Sequence, residues 1–129
     1  MCLYTSPVID LQYFFNTSMT DDLLLENEEL LLAEYRRTLA ATMAKLACRT
    51  MPPTLANLKS MMMKKALYGM ISSFTILPML LVDKSKDDGL NEMIDKDGNL
   101  SNNPGYSGEL FKKAMIRRLP KFYELGLLD

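Results

Sequence analysis

The chain has 129 residues, 48% of them hydrophobic, with 15 basic and 16 acidic side chains and a formal net charge of −1. That is apolar material for one modest core, and the balanced charge gives no general pull toward nucleic acid or an anionic membrane. Histidine is absent, which excludes imidazole acid–base chemistry, Ser-His and Cys-His nucleophiles and most zinc sites.

The first helix is expected from about Pro7 to Phe15, with Ser6 as N-cap and Pro7 at the first helical position, where its missing N–H costs nothing. Val8, Ile9, Leu11, Tyr13, Phe14 and Phe15 point in nearly every direction around it, and a helix apolar all round must be enclosed on all sides. Little sequence stands in front of it to supply that enclosure, so the expectation is a chain that begins in the middle of a domain. Asp10 lies in the first turn, and its i+3 and i+4 neighbours, Tyr13 and Phe14, are not cations. It either complements the helix dipole or accepts hydrogen bonds from another segment as a buttress for a functional loop.

Thr20 is expected to cap a long second helix, about 27 residues and roughly 40 Å at 1.5 Å per residue. Asp21, Asp22 and Glu26 lie near its positive end and Arg36, Arg37 and Lys45 further along, which suits the dipole. Leu24, Leu31, Tyr35, Leu39, Met43 and Leu46 recur at helical spacing, making this an element for others to pack around.

Pro52 and Pro53 close the connection, and Thr54 caps a third helix whose stripe starts with Leu55, Leu58 and Met62. From Ala66 to Val82 the sequence is apolar almost throughout, but it contains Gly69, Ser72, Ser73, Thr75 and Pro78. It reads as a buried central helix, with a short membrane span as the alternative. Pro78 should kink it by clashing with the carbonyl of Phe74.

Asp83 to Pro104 reads as a long surface loop. Within it, Asp95-Lys96-Asp97-Gly98-Asn99 looks like the start of a calcium loop. The required glycine and glutamate positions, however, hold Leu100 and Tyr106. Ser107 should open a fourth, amphipathic helix with Phe111, Met115 and Leu119 on one face and a Glu109–Lys113 pair outside. Pro120 then restarts a short turn that Gly126 stops. The basic residues Lys112, Lys113, Arg117, Arg118 and Lys121 read as a solvated helix face, with phosphate binding as the alternative. The pattern contains no internal repeat and no convincing strand: an all-α chain in one unit spanning residues 1–129. Cys2 and Cys48 form no paired motif, and no basic-then-apolar leader is read, so reduced thiols in a cytoplasmic protein are expected.

The segment Tyr4-Thr5-Ser6-Pro7-Val8-Ile9-Asp10-Leu11-Gln12-Tyr13-Phe14-Phe15-Asn16-Thr17-Ser18 resembles the C-terminal lobe of insect ecdysteroid kinase-like (CHK kinase-like) proteins, within the choline kinase and aminoglycoside phosphotransferase superfamily. The likeness continues through Leu67-Tyr68-Gly69 and Leu77-Pro78 to the closing Leu119-Pro120…Gly126-Leu127-Leu128-Asp129. The resemblance implies the helical C-terminal lobe of a protein-kinase-like fold and an ATP- and magnesium-dependent transfer to a hydroxyl of a small lipophilic acceptor. It also implies that the nucleotide lobe, catalytic aspartate and metal ligands lie upstream, so this chain alone binds no cofactor or metal and is inactive. Asp10 corresponds to the aspartate that supports the catalytic loop, and Tyr13, Phe14 and Tyr68 are candidates for the acceptor pocket, with core packing the alternative for each. Neither nucleic acid nor membrane is an expected partner. The reading from another class is a stand-alone helical interaction module using its Met-rich, apolar helices.

Overall fold

The computed structural model describes residues 6–18, 21–82 and 104–128, with the side chains of residues 21–26 and 104 left aside. Among the described residues every regular element is helical. They are α1 (Val8–Thr17), α2 (Asp21–Lys45), α3 (Leu55–Lys64), α4 (Ala66–Thr75), α5 (Leu77–Leu80), a 3-10 turn (Pro104–Ser107) and α6 (Glu109–Glu124). The all-α expectation holds. The Thr20 cap, the calcium-like stretch 95–99 and nearly all of the 83–104 loop lie outside the described residues.

α1 begins one residue later than expected. Pro7 occupies the cap position, in helical conformation and with no side-chain cap. Ser6 contributes its carbonyl to the Ile9 N–H and turns its hydroxyl to the sulfur of Met61, so its side chain is not the N-cap. At the start of α3, by contrast, Thr54 accepts from the Asn57 N–H at 3.1 Å, as its sequence position predicts.

The third helix, expected to run on from Thr54 through the apolar stretch to Val82, is not one helix with one kink. It is interrupted at Lys65, which leaves the helical region (φ −109°, ψ 13°), and again at Ile76. Pro78 falls in the first turn of α5, where it fits because an N–H there has no intrahelical partner. The Phe74 carbonyl, the acceptor that Pro78 cannot serve, instead takes a 2.8 Å hydrogen bond from the Tyr106 hydroxyl. Tyr106 also meets Phe111 edge-to-face, with centroids 5.5 Å apart. The predicted break is real, and a tyrosine from the 3-10 turn repairs it.

α6 also departs from expectation. It starts at Glu109 with Gly108 at the cap rather than at Ser107, and it runs unbroken through Pro120. Pro120 is exposed, so the Ile116 carbonyl it leaves unserved has access to water. Its inner stripe is Phe111, Ala114, Met115, Arg118 and Phe122, whereas Leu119 is 37% exposed. Glu109 pairs with Lys112, one residue closer along the helix than Lys113.

Two apolar clusters hold these helices together. Val8, Leu11 and Phe15 of α1 pack with Leu32 of α2 and Leu58 and Met62 of α3. Leu77 packs with Phe111, Ala114, Met115 and Phe122, and Met70 and Phe74 of α4 close over them. α4 therefore contributes to both sides, with Gly69, Ser72 and Ser73 buried and Met70 and Phe74 on the second cluster. α2 supports the first cluster from its middle, through Leu31, Leu32 and Tyr35, and Leu46 just beyond its end is 71% exposed.

Both long helices end in the same hydrogen-bond pattern. At α2 the Cys48 N–H reaches the Met43 carbonyl and the Ala47 N–H reaches Ala44. At α6 the Leu127 N–H reaches Phe122 and the Gly126 N–H reaches Tyr123. These are Schellman closures, which place the residue after the cap in the left-handed region. Gly126 adopts it at φ 67°, but at α2 the residue is Ala47, at φ 49°.

Candidate functional site

α1 has two unlike faces. The inner one carries Gln12, Asn16 and Thr17 beside Val8, Leu11 and Phe15, all buried. The outer one carries Asp10, Tyr13 and Phe14, all exposed, with the two rings 41% and 47% accessible. No later element of the described chain covers that outer face, so the enclosure expected of an all-round apolar helix is only half supplied.

The inner polar residues form a connected network. Gln12 donates through Nε2 to the Met62 carbonyl at 2.8 Å, at the break between α3 and α4. Its Oε1 accepts from Asn16 Nδ2 at 3.0 Å, and the same amide donates to the Gln12 carbonyl at 2.8 Å. Asn16 Oδ1 accepts from Ser73 Oγ at 3.3 Å, which also donates to the Gly69 carbonyl. Arg118, 4% exposed, donates through a terminal nitrogen to the Asn16 carbonyl at 2.7 Å. That carbonyl lies at the negative end of α1, where a cation is favoured. Among the described residues no buried side-chain nitrogen or oxygen lacks a partner, the condition under which a buried network fixes one arrangement rather than destabilising it.

Gly69 makes this approach possible. A Cβ there would lie 2.3 Å from Gln12 Oε1 and 2.4 Å from Asn16 Nδ2. α4 can press its backbone on the α1 amides only because that position has no side chain.

Beside the network lies a cleft of about 550 Å³ bounded by α1, α2, α3 and α6. Gln12, Asn16 and Arg118 contribute its polar part, and Phe15, Leu32, Met62 and Phe122 are among its apolar walls. Two ion pairs tie α2 to its neighbours there, Glu28 with Lys121 of α6 and Glu29 with Lys59 of α3. The basic residues of α6 therefore divide. Arg118 is internal and Lys121 is paired across the cleft, while Lys112, Lys113 and Arg117 are on the exposed side.

None of the four candidates named from sequence lines this cleft. Asp10, Tyr13 and Phe14 occupy the opposite face of α1, and Tyr68 is 39% exposed on α4, its carbonyl accepting from Ser72 Oγ. Asp10 accepts no hydrogen bond from another described segment. Its charge is felt by Tyr35 of α2, whose hydroxyl is held above its ordinary range first by burial and then by that carboxylate. The cleft residues had one sequence signal, two amides spaced i, i+4 on an otherwise apolar helix. Arg118 had none, as it stood within a run of surface-like cations.

Among the described residues no group of three or more His, Cys, Asp or Glu side chains is placed to hold a metal. No helix among them is long and apolar enough to cross a membrane, and the apolar run considered for that role is divided among α4 and α5.

Among known protein families, the ecdysteroid kinase-like family matches this chain over residues 1–48. The matched stretch contains α1, α2 and the Ala47 closure, and thus Asp10, Tyr13 and Phe14. No curated protein and no solved structure matches the chain.

Proposed function

We propose that this chain, whose first 48 residues carry ecdysteroid kinase-like sequence, is the C-terminal helical lobe of a small-molecule kinase. The parent reaction is transfer of the ATP γ-phosphoryl group to a hydroxyl of a lipophilic acceptor. Phosphoryl transfer depends on positioning and on neutralising phosphate charge with metal ions and cations. The described residues provide no acidic cluster for the metal, so no step through ATP or magnesium is assigned to them. Taken alone, this lobe is inactive. A cytoplasmic location is part of the same proposal.

One observation carries this reading: α1 turns Asp10, Tyr13 and Phe14 away from the chain's own core. An acidic residue in a first turn beside two exposed rings suits a surface that meets another part of a larger domain. Asp10 would then receive hydrogen bonds from the catalytic loop, with Tyr13, Phe14 and Tyr68 toward the acceptor.

The test joins the nucleotide lobe and catalytic loop of an ecdysteroid kinase-like protein ahead of residue 1. The fusion should phosphorylate a lipophilic alcohol, Asp10→Ala should reduce kcat, and Tyr13→Ala should raise KM. The isolated chain should melt at the same temperature with and without Mg-ATP. Nucleotide-dependent stabilisation of the chain alone, or a fusion indifferent to Asp10, would overturn the proposal. A cooperative monomer whose outer face captures a helical peptide would favour an interaction module instead.

A further inference from the structure

Charge is unevenly spread along this chain. The formal total is −1, yet no Asp or Glu occurs between Tyr35 and Val82, where every charged residue is Lys or Arg. The far end of α2 and the turn after it belong to that basic stretch. Arg36 holds the returning chain at the Pro53 carbonyl. Beyond that tie α2 runs on to Lys45, roughly 13 Å at about 1.5 Å per residue. From Ala44 to Met51 every residue is exposed. Met51 at 89% and Leu46 at 71% are the two most accessible large hydrophobic side chains among the described residues. Lys45 and Arg49 stand beside them, and neither has an ion-pair partner among the described residues. The nearest acidic residue along the chain, Glu34, is taken by Arg37. We infer that this tip, Lys45 to Met51, docks on a bilayer containing anionic lipid, with Leu46 and Met51 entering the interface and Lys45 and Arg49 at the headgroup phosphates.

Two properties favour a bilayer over a protein partner. The tip is a short convex stretch at the end of a projecting helix, whereas a standard protein interface draws on about 20–30 residues per side. Lipids close around a convex shape that a folded partner would have to be built to match. The chemistry is also that of an interfacial element. Apolar side chains reach the acyl boundary, and neighbouring cations are drawn to anionic headgroups while their methylene stems lie along the apolar layer. The total charge of −1 does not oppose this. Screening confines each field to about 10 Å at 0.1 M salt, so the lipid meets the local cations. The contact is made from outside and requires no spanning helix.

The test uses the full 129-residue chain with Cys2→Ser, which leaves Cys48, exposed within the tip, as the one thiol for an NBD fluorophore. Vesicles of phosphatidylcholine with about one third phosphatidylserine are titrated in at about 0.1 M salt. NBD emission should rise, shift to the blue and saturate, and the unlabelled chain should sediment with the vesicles over the same lipid range. Vesicles of phosphatidylcholine alone should need at least about tenfold more lipid. Leu46→Ser with Met51→Ser, and separately Lys45→Gln with Arg49→Gln, should each weaken association at least about tenfold. Lys64→Gln with Lys65→Gln removes as much charge elsewhere, and Tyr13→Ser with Phe14→Ser removes apolar surface from α1; each should change association less than about twofold. Far-UV circular dichroism checks that every variant keeps its helices. No association with anionic vesicles, equal association with phosphatidylcholine alone, indifference to both tip variants, or an equal loss in the controls would each overturn the inference. So would vesicles left unbound while an acidic helical peptide binds the tip. Neither the outcome nor the residues involve Mg-ATP, so this result and the fate of the kinase proposal are read separately.

Discussion

α1 and the distal half of α2 are helices of similar length held in place by different means. α1 has ten residues, short enough that an isolated helix would be marginal in water, and tertiary bonds secure it. Gln12 reaches α3, Asn16 meets Ser73 of α4, and the Asn16 carbonyl receives Arg118 of α6. Beyond Tyr35, α2 makes few such ties. Arg36 donates to the Pro53 carbonyl, Arg37 and Glu34 pair in solvent, and the end closes through Ala47 and Cys48. The first helix exists because the rest of the fold needs it there; the second persists largely on local propensity and capping. Substitutions at the α1 seam should therefore loosen the whole molecule, and those in distal α2 should register only locally.

The sharpest test of this contrast is Gly69→Ala. The added methyl would push the Gln12 and Asn16 amides out of their hydrogen bonds, so unfolding free energy should fall by about 2 kcal/mol, the broken network outweighing a gain of about 1 kcal/mol in helix propensity. Urea denaturation would show a lower midpoint at an unchanged slope. Arg118→Met comes next. It keeps much of the packing but removes the donor to the Asn16 carbonyl, with an expected loss of about 2 kcal/mol by the same measurement. A loss below measurement error would mean that the Arg118 bond adds nothing to the hold of Gln12 and Asn16 on α1.

On the α2 side the expected effects are smaller, and the first is of opposite sign. Ala47→Gly removes a Cβ from a left-handed position and should stabilise the helix end by up to about 1 kcal/mol, partly offset by a more flexible unfolded chain. Amide exchange should slow in the last turns of α2 and not in α1. The smallest effect is a pH response. The Arg37 guanidinium, hydrogen-bonded to Glu34, holds that carboxyl below its ordinary 4.5. The support it gives α2 is complete above that value and lost as pH falls through the lowered value. Because the pair is fully exposed, amide chemical shifts around residues 34–38 should report the titration while the global midpoint stays level.

What sequence reveals about this fold follows how local its causes are. The Thr54 cap and the Gly126 stop were legible because each depends on a few neighbouring residues, and the break near Pro78 because a missing N–H acts wherever it stands. The interruption at Lys65 has no such mark: lysine is a good helix former, and the turn there accompanies the Gln12 contact made from 50 residues away. Leu32 escaped notice because it adjoins Leu31 in a run of leucines, where register around the helix decides which one is buried. Asp10 stood out as a carboxylate on so apolar a helix, and Tyr13 and Phe14 came into view only through the family resemblance; the exposure of all three depends on the positions of the other helices. Arg118 shows the limit most plainly, since its four basic companions share its composition and not its burial.

The hydroxyl that Tyr106 lends to Phe74 limits how the sequence can change. It joins the 3-10 turn to the last turn of α4, while the ring of the same residue rests edge-on against Phe111 of α6. Phenylalanine at position 106 would keep the ring contact and give the Phe74 carbonyl over to water, and a small residue would lose both, so tyrosine is the side chain that serves both helices at once.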